Sequence, residues 1–399
     1  MSAPRRLLRV VLLLLLLAIV AGGYFSYRLR HPGKPAVPAG RATILFPMGT
    51  PTAQIFQRLE KEGVVQDARL AEIYYRLYRN GTPLQAGEYS FDRPTPIDEV
   101  INRMGKGEVV QYTIVVPEGL TADESFELFW RQGIGGPEAF HRAISDTELL
   151  PGLTRGVNDL EGFLFPDTYV VTRSTSARQI VDRMVGNFRK NFGPDLRDKA
   201  RDLGLSTRQA VTLASIIEKE TAIKSELPVV ASVYLNRLKK GMRLQADPTV
   251  MYALKRDGRW TGMLHRSDYA YDSPYNAYTN DGLPPGPIAN PGLAALKAAV
   301  NPAKTDYLYF VADNRGGHTF TRTFEEHLQA ITAAHRMREA MDAADAAADA
   351  AAAAGRGPGG PGAGAPLEAP SNEKHPAPAA TPGRPSEPAA ARAKDSGAP

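Results

Sequence analysis

"STRQAVTLASIIEKETAI", residues 206–223, runs from a serine through an apolar stretch without glycine or proline into two carboxylates, Glu218 and Glu220. Ser206 followed three residues later by Gln209 is a capping-box pattern, in which each side chain satisfies the other residue's free backbone N–H at a helix start. The spacing therefore predicts a helix that continues through the acids. At about 100° per residue, positions two apart point to nearly opposite sides, so Glu218 and Glu220 cannot share one pocket on that helix. Glu218 lies over Val211, Ala214 and Ser215, whereas Glu220 lies over the bulkier Leu213, Ile216 and Ile217. Small neighbours leave room for a ligand. Glu218 is thus the candidate for an open cleft, and Glu220 for a structural hydrogen bond or ion pair. Burial and the negative end of the helix both oppose ionisation there, which is what a general acid needs near neutral pH. Periodicity alone is equally compatible with two solvated glutamates at a frayed helix end.

Downstream, "PVVASVYLNRLKKGMRLQADPTVMYAL" (228–254) reads as a helix stopped by Gly241, a strand-like "MRLQAD", and a helix started by Pro248. Asn236, Arg237, Gln245, Asp247 and Thr249 bracket the turn. Asp247 is expected to N-cap the helix that follows; Arg237 and Gln245 have no such local explanation. "SPYNAYTNDGLPPGPIANPG" (273–292) holds too many prolines and glycines for regular structure, and Tyr275, Tyr278 and Leu283 favour a specifically shaped loop over a disordered linker. Pro284, Pro285 and Pro287 are expected to hold its shape. "DYLYFVADNRGGHTFT" (306–321) has a hairpin pattern, and its His318 reads either as a cleft residue or as a buried, hydrogen-bonded one, the second being favoured. Thr323 and Glu326 then cap a helix.

Towards the N-terminus, residues 42–116 alternate short strand and helix patterns: strand "ATILFP", a helix from Pro51 to Gly63, a helix "ARLAEIYYRLYRNG", strand "AGEYSF", helix "PIDEVINRMGKG" and strand "QYTIVVP". The uncharged run Val10 to Tyr27 is near the lower limit for a membrane-spanning helix. Arg5, Arg6 and Arg9 precede it, and Tyr24, Phe25 and Tyr27 close it, as expected for a cytoplasmic N-terminus (1–9) and an interfacial belt on the far side. The small residues of "VAGG" permit a cleaved signal peptide as the rival reading, but the length of the run and the poor cleavage site favour an uncleaved anchor. Residues 28–41 read as an extended linker. The expected fold is α+β: a transmembrane helix at 10–27, a small α/β subdomain at 42–116, and a larger, mainly helical domain with short strands at 117–340. An Ala-rich helix end and a disordered Pro/Gly/Ala-rich tail follow at 341–399.

The chain has 399 residues, no cysteine and a formal net charge of +5. Disulfides, thiol nucleophiles and thiolate metal sites are excluded. The charge surplus is explained at a membrane, and neither a zinc-finger spacing nor a basic stripe interleaved with aromatics points to nucleic acid. His265, His318 and His327 match no metal-ligand spacing, and no serine-nucleophile elbow or P-loop occurs. What remains is acid/base chemistry on a neutral polar substrate, without metal or cofactor.

Six stretches, "VPEGLT" (116–121), "LEGFLFPDTY" (160–169), "LASIIEKET" (213–221), "ASVYLNRLKKGMRLQADPTVMYAL" (231–254), the 273–292 loop and "YLYFVADNRGGHTFTRTFEEH" (307–327), resemble in order the signatures of MltG-type (YceG-like) endolytic murein transglycosylases. The similarity runs from about residue 42 to about 335. It implies a single-pass bacterial inner-membrane protein, LysM-like at 42–116, with its catalytic domain on the extracytoplasmic side. Its implied partners are peptidoglycan glycan strands, the bilayer through residues 10–27, and peptidoglycan synthases. The implied reaction is cleavage of the β-1,4 bond between N-acetylmuramic acid and N-acetylglucosamine in nascent strands. The family's catalytic glutamate falls on Glu218, in agreement with the helix-face argument. Tyr169, Gln245, Tyr275 and Asn276 lie in matched motifs and carry groups suited to sugar contact. A hydrolase with Glu218 as acid and Asp247 as base, and a glycan-binding scaffold without catalysis, are the alternatives.

Overall fold

The computed structural model describes residues 3–31, 40–79, 81–150 and 159–354. The fold is mixed and helix-dominated, with three antiparallel strand pairs among the described residues. Most of the expected 28–41 linker and the expected disorder from residue 355 onward lie outside the described residues. The chain divides into two units, Met1–Arg197 with Ala289–Leu293, and Asp198–Ile288 with Ala294–Pro399.

The first unit begins with helix α1 (Ala3–Arg30). Its stretch Leu7–Arg28, 22 residues, is long and apolar enough to cross a membrane. A small module follows: β1 (Gly40–Phe46), α2 (Thr52–Lys61), α3 (Ala68–Tyr74), β2 (Gly87–Arg93) and α4 (Ile97–Lys106). β1 pairs antiparallel with β2, in a register that sets Ile44 opposite Tyr89 and Ala42 opposite Phe91. Alternation along β1 sends Ala42, Ile44 and Phe46 into a core shared with Ile55, Phe56 and Leu59 of α2 and Val100, Ile101 and Met104 of α4. The helix expected over 68–81 is α-helical only to Tyr74; Tyr75–Arg79 widens into a π-helical turn.

The strand at the end of the 42–116 stretch, β3 (Tyr112–Val115), does not join the β1–β2 pair. It pairs with β4 (Thr168–Val171), aligning Ile114 with Tyr169. Between them lie α5 (Ala122–Trp130) and α6 (Pro137–Ile144), and α7 (Ala177–Asn191) follows. Capping boxes start α5 at Thr121/Glu124 and α7 at Ser176/Gln179. α8 (Pro194–Asp202) contains the boundary between units.

The second unit is built on α9 (Thr207–Glu220), α10 (Leu227–Lys239) and α11 (Asp247–Arg256), with α9 packed against both of the others. α12 (Leu293–Val300), the hairpin of β5 (Tyr309–Ala312) and β6 (His318–Thr321), and α13 (Phe324–Ala354) complete it. Thr323 and Glu326 form the expected reciprocal cap, with Glu326 N–H donating to Thr323 Oγ1 and Thr323 N–H to the Glu326 carboxylate.

The strand expected at 242–247 is absent. Leu244 and Ala246 are buried and Gln245 is exposed, so the alternation is real, but Gln245 has φ of 50°, a left-handed conformation incompatible with a strand.

Candidate active site

The capping box read from sequence starts α9: Ser206 N–H donates to Gln209 Oε1 at 2.9 Å and Gln209 N–H to Ser206 Oγ at 3.2 Å. Every residue from Ala210 to Ile217 is buried. The helix then surfaces at its last turn, where Glu218 and Glu220 are half-buried and Thr221 turns to extended backbone. A helix buried along its length and opening at its C-terminal end fixes the placement of those two acids closely.

Glu220 accepts a 2.6 Å hydrogen bond from the Tyr234 hydroxyl of α10. Burial pushes its carboxyl up to about 7; the Tyr234 bond opposes the rise, the Asp247 charge adds to it and Arg237 opposes it. Beyond the helix end, Glu226 accepts from the His318 backbone N–H at 2.9 Å and lies 2.7 Å from His318 Nδ1. Burial works against the Glu226 charge, yet these bonds and one from Thr221 hold its carboxyl below the usual range.

Asp247 does not N-cap α11. It is the first residue of that helix, Ala246 occupies the cap position without a side-chain bond, and the Asp247 carboxylate accepts from two phenols, Tyr278 at 2.5 Å and Tyr269 at 3.3 Å. Burial raises its pKa against the pull of those two bonds. Proline at the next position fixes the backbone of the first turn, which leaves the carboxylate free to reach across to the loop.

Arg237, unexplained by sequence, is a buried staple. Its Nε donates to Leu308 O at 2.6 Å and its Nη1 to Leu244 O at 2.8 Å, and it stacks 5.1 Å over the Tyr309 ring. Nη1 also lies 3.3 Å from Gln245 Oε1, while Gln245 N–H donates to Ala277 O at 3.0 Å. These contacts hold Gln245 in its left-handed conformation, a cost of roughly 1–2 kcal/mol. Such held strain is common where a side chain must be aimed.

The 273–288 loop is tied down by side-chain hydrogen bonds. Asn276 is fully buried at its centre; its amide donates to Tyr269 O and Tyr271 O, and its Oδ1 accepts from Tyr278 N–H. Ser215, buried in α9, donates to Thr212 O and accepts from Ile288 N–H at 3.0 Å, and Arg208 donates to Pro285 O. Pro284 and Pro287 are buried, Pro285 exposed. Tyr275 is half-buried, 4.9 Å from the Tyr252 ring, with the Arg256 guanidinium 5.1 Å over its face. A Cβ at Gly286 would lie 3.3 Å from the Tyr275 hydroxyl, so glycine there admits the phenol.

The second unit thus brings Glu218, Gln245, Tyr275 and Asn276 into one body, built on the end of α9, the start of α11 and the loop. Tyr169 belongs to the first unit. It is buried on β4, its hydroxyl donates to Phe165 O, and burial pushes its pKa well up.

Sequence reasoning missed a second polar hub, in the first unit. Asn290 is buried; its Oδ1 accepts from Gly162 N–H at 2.9 Å and Leu164 N–H at 3.1 Å, and its Nδ2 donates to Leu120 O at 3.0 Å. Beside these segments, both oxygens of buried Glu161 accept from Ala122 N–H at the start of α5, and burial pushes that carboxyl up to about 8. Three of the six motifs meet here. The available signal was the asparagine inside "IANPG", where no turn or cap required one.

Among the described residues no group of three or more His, Asp or Glu side chains is arranged to hold a metal ion. A profile of the YceG-like family matches residues 44–333. The endolytic murein transglycosylase of Bacillus subtilis (strain 168) is 34% identical over 304 residues, covering 72% of this chain and 83% of the relative. Its namesake in Streptococcus pneumoniae (strain D39) is 30% identical over 347 residues, covering 79% of this chain; the chain spans 62% of that relative's length. A crystal structure of a YceG-like protein from Listeria monocytogenes is 34% identical, with 73% of this chain and 99% of that one covered at a TM-score of 0.46. By the length of the profile match and the identity to these relatives, the chain belongs to the YceG-like family.

Proposed function

We propose that this chain is a lytic transglycosylase of peptidoglycan, anchored in the bacterial inner membrane by α1 with residues from 40 onward on the extracytoplasmic side. It cleaves the β-1,4 bond between N-acetylmuramic acid and N-acetylglucosamine within nascent strands, and works alongside peptidoglycan synthases. The 42–116 stretch is its LysM-like, glycan-facing subdomain. The observation that carries the reading is the pairing of relatives named endolytic murein transglycosylase with one half-buried acid, Glu218, at the open end of the buried helix α9.

A hydrolytic glycosidase ordinarily needs two carboxylates, one to protonate the leaving oxygen and one to manage water or form an adduct. In the lytic reaction Glu218 suffices. Its proton goes to the glycosidic oxygen as the bond to the anomeric carbon breaks. The muramic acid's own 6-hydroxyl then attacks that carbon and gives its proton to the same carboxylate, leaving a 1,6-anhydro end and a regenerated acid. The substrate's N-acetyl group stabilises the positive anomeric centre.

The surrounding groups support this division of labour. Glu220 and Asp247 each accept hydrogen bonds from phenols, which supports a structural role for both over that of a second catalytic carboxylate. Gln245, exposed and held in strain, and Tyr275, half-buried, are the sugar contacts in this reading; buried Asn276 shapes the loop that carries Tyr275, and buried Tyr169 secures β4. The test is digestion of uncrosslinked glycan strands followed by mass spectrometry of the fragments. Anhydro-ended fragments from the parent chain, and a severe loss of them from a folded Glu218→Gln variant, are expected. Retention of glycan without fragments would favour a binding scaffold instead.

A further inference from the structure

Leu77 and Tyr78 of the π-helical turn are 69% and 65% exposed, and Ile73 one turn earlier is 49% exposed. These are three large apolar side chains on adjacent rows of one surface, since residues four apart share a face. The neighbouring arginines add no free charge to the ridge: Arg76 is paired with Glu72 at 2.6 Å and Arg79 with Asp98 at 2.7 Å. Such a ridge on a small module is a contact surface for something.

Its position says for what. Phe25 of α1 packs against the core of the 42–104 module, and its ring centroid lies 6.5 Å from that of Tyr78, which in turn lies 5.4 Å from Tyr74. α1 also packs against α4. Phe25 sits three residues, or about 4.5 Å, inside Arg28, the outer end of the apolar stretch. That stretch spans roughly the 30 Å of a hydrocarbon core, with several ångströms of headgroups beyond it. A ring within 6.5 Å of Phe25 therefore falls in the outer hydrocarbon or the headgroup layer, whichever way it is displaced. Tyr24 and Tyr27, 65% and 59% exposed on α1, occupy the same level, where amphipathic aromatic rings are favoured.

We propose that Ile73, Leu77 and Tyr78 form a membrane-interface ridge that lies in the outer headgroup layer of the bilayer crossed by α1 and pins the 40–107 module to the lipid surface. This rests on the reading of α1 as a spanning anchor. The module is then tethered at two points, by the chain and by the ridge, and the partner of this face is lipid rather than glycan.

The chain has no cysteine, so single labels can be placed without background. Full-length protein carrying Leu77→Cys or Ile73→Cys, labelled with an environment-sensitive fluorophore, is reconstituted into phosphatidylcholine/phosphatidylglycerol vesicles. Leu14→Cys, in the middle of α1, reports insertion. The ridge labels are expected to shift to the blue, to lose most of their emission to headgroup-level nitroxide lipids, and to resist aqueous iodide; the Leu14 label is quenched by deep-chain nitroxides. If iodide quenches the ridge labels freely while the Leu14 label stays buried, the anchor stands and the ridge is overturned. If iodide reaches all of them, the anchor reading fails and takes the proposal with it. Protection of the ridge labels by added glycan strands, but not by lipid, also overturns it.

Discussion

Two buried polar clusters, one in each unit, are built on opposite principles. Around Asn290 and Glu161, side-chain amide and carboxylate are satisfied by backbone groups of other loops, from Leu120, Ala122, Gly162 and Leu164. Around the end of α9, the carboxylates of Glu220 on that helix and Asp247 on α11 accept from side-chain hydroxyls, those of Tyr234, Tyr278 and Tyr269, and Glu218, also on α9, is half-buried. Backbone partners cannot move without moving a loop, so the first cluster fixes architecture. Hydroxyl partners can rotate and exchange protons, so the second cluster shapes the protonation of its own carboxylates.

The contrast can be broken by substitution. Glu218→Gln is expected to reduce fragment release by about 10²–10⁴-fold, the usual worth of a positioned acid/base, with an unchanged thermal unfolding midpoint. Glu220→Gln should stay within about tenfold of the parent rate at pH 6, because an amide oxygen still accepts from Tyr234. Equal losses in the two variants would erase the distinction between them. Asn290→Ala should act on stability instead. It strands the buried Gly162 and Leu164 N–H groups, while Leu120 O keeps its bond from the residue-290 backbone N–H, for roughly 2–3 kcal/mol in urea unfolding.

Glu161 offers a pH test of the architectural cluster. Its folded pKa is raised to about 8, so between the ordinary carboxylate range and that value the folded chain holds a proton that the unfolded chain has lost. Stability contributed by this group is therefore greatest at acid pH and falls as pH rises towards 8, by at most about 1.4 kcal/mol per unit. Unfolding free energies of parent and Glu161→Gln chains at pH 5.5 and 7.5 should differ in that slope, the variant being flatter. The smallest effect is expected of Tyr278→Phe, which removes one of two phenol donors to Asp247 and should cost about 1–2 kcal/mol.

Local features were legible in the sequence because their partners lie within a few residues. The caps at Ser206/Gln209 and Thr323/Glu326, the hairpin at 309–321 and the opposed faces of Glu218 and Glu220 all follow from short-range spacing. What periodicity could not reveal was who answers a polar group over long range. "MRLQAD" alternates as a strand does, yet the alternation serves to bury Leu244 and Ala246 while Arg237 and Ala277 hold Gln245 out. Asp247 looks like a cap because caps are the commonest use of aspartate before proline; its phenol partners lie 22 and 31 residues away. Asn290 bonds across 126 to 170 residues to backbone atoms that every residue possesses, so no residue type at the far end betrays the contact.

The proposed reaction requires Glu218 to transfer a proton both ways while the substrate's own hydroxyl replaces water. Digestion of uncrosslinked glycan in ¹⁸O-labelled water reads that directly. The prediction is fragments one water lighter than hydrolytic products, with no heavy oxygen at the new ends. Heavy oxygen at those ends, or undiminished release of unlabelled anhydro fragments by Glu218→Gln, would contradict it.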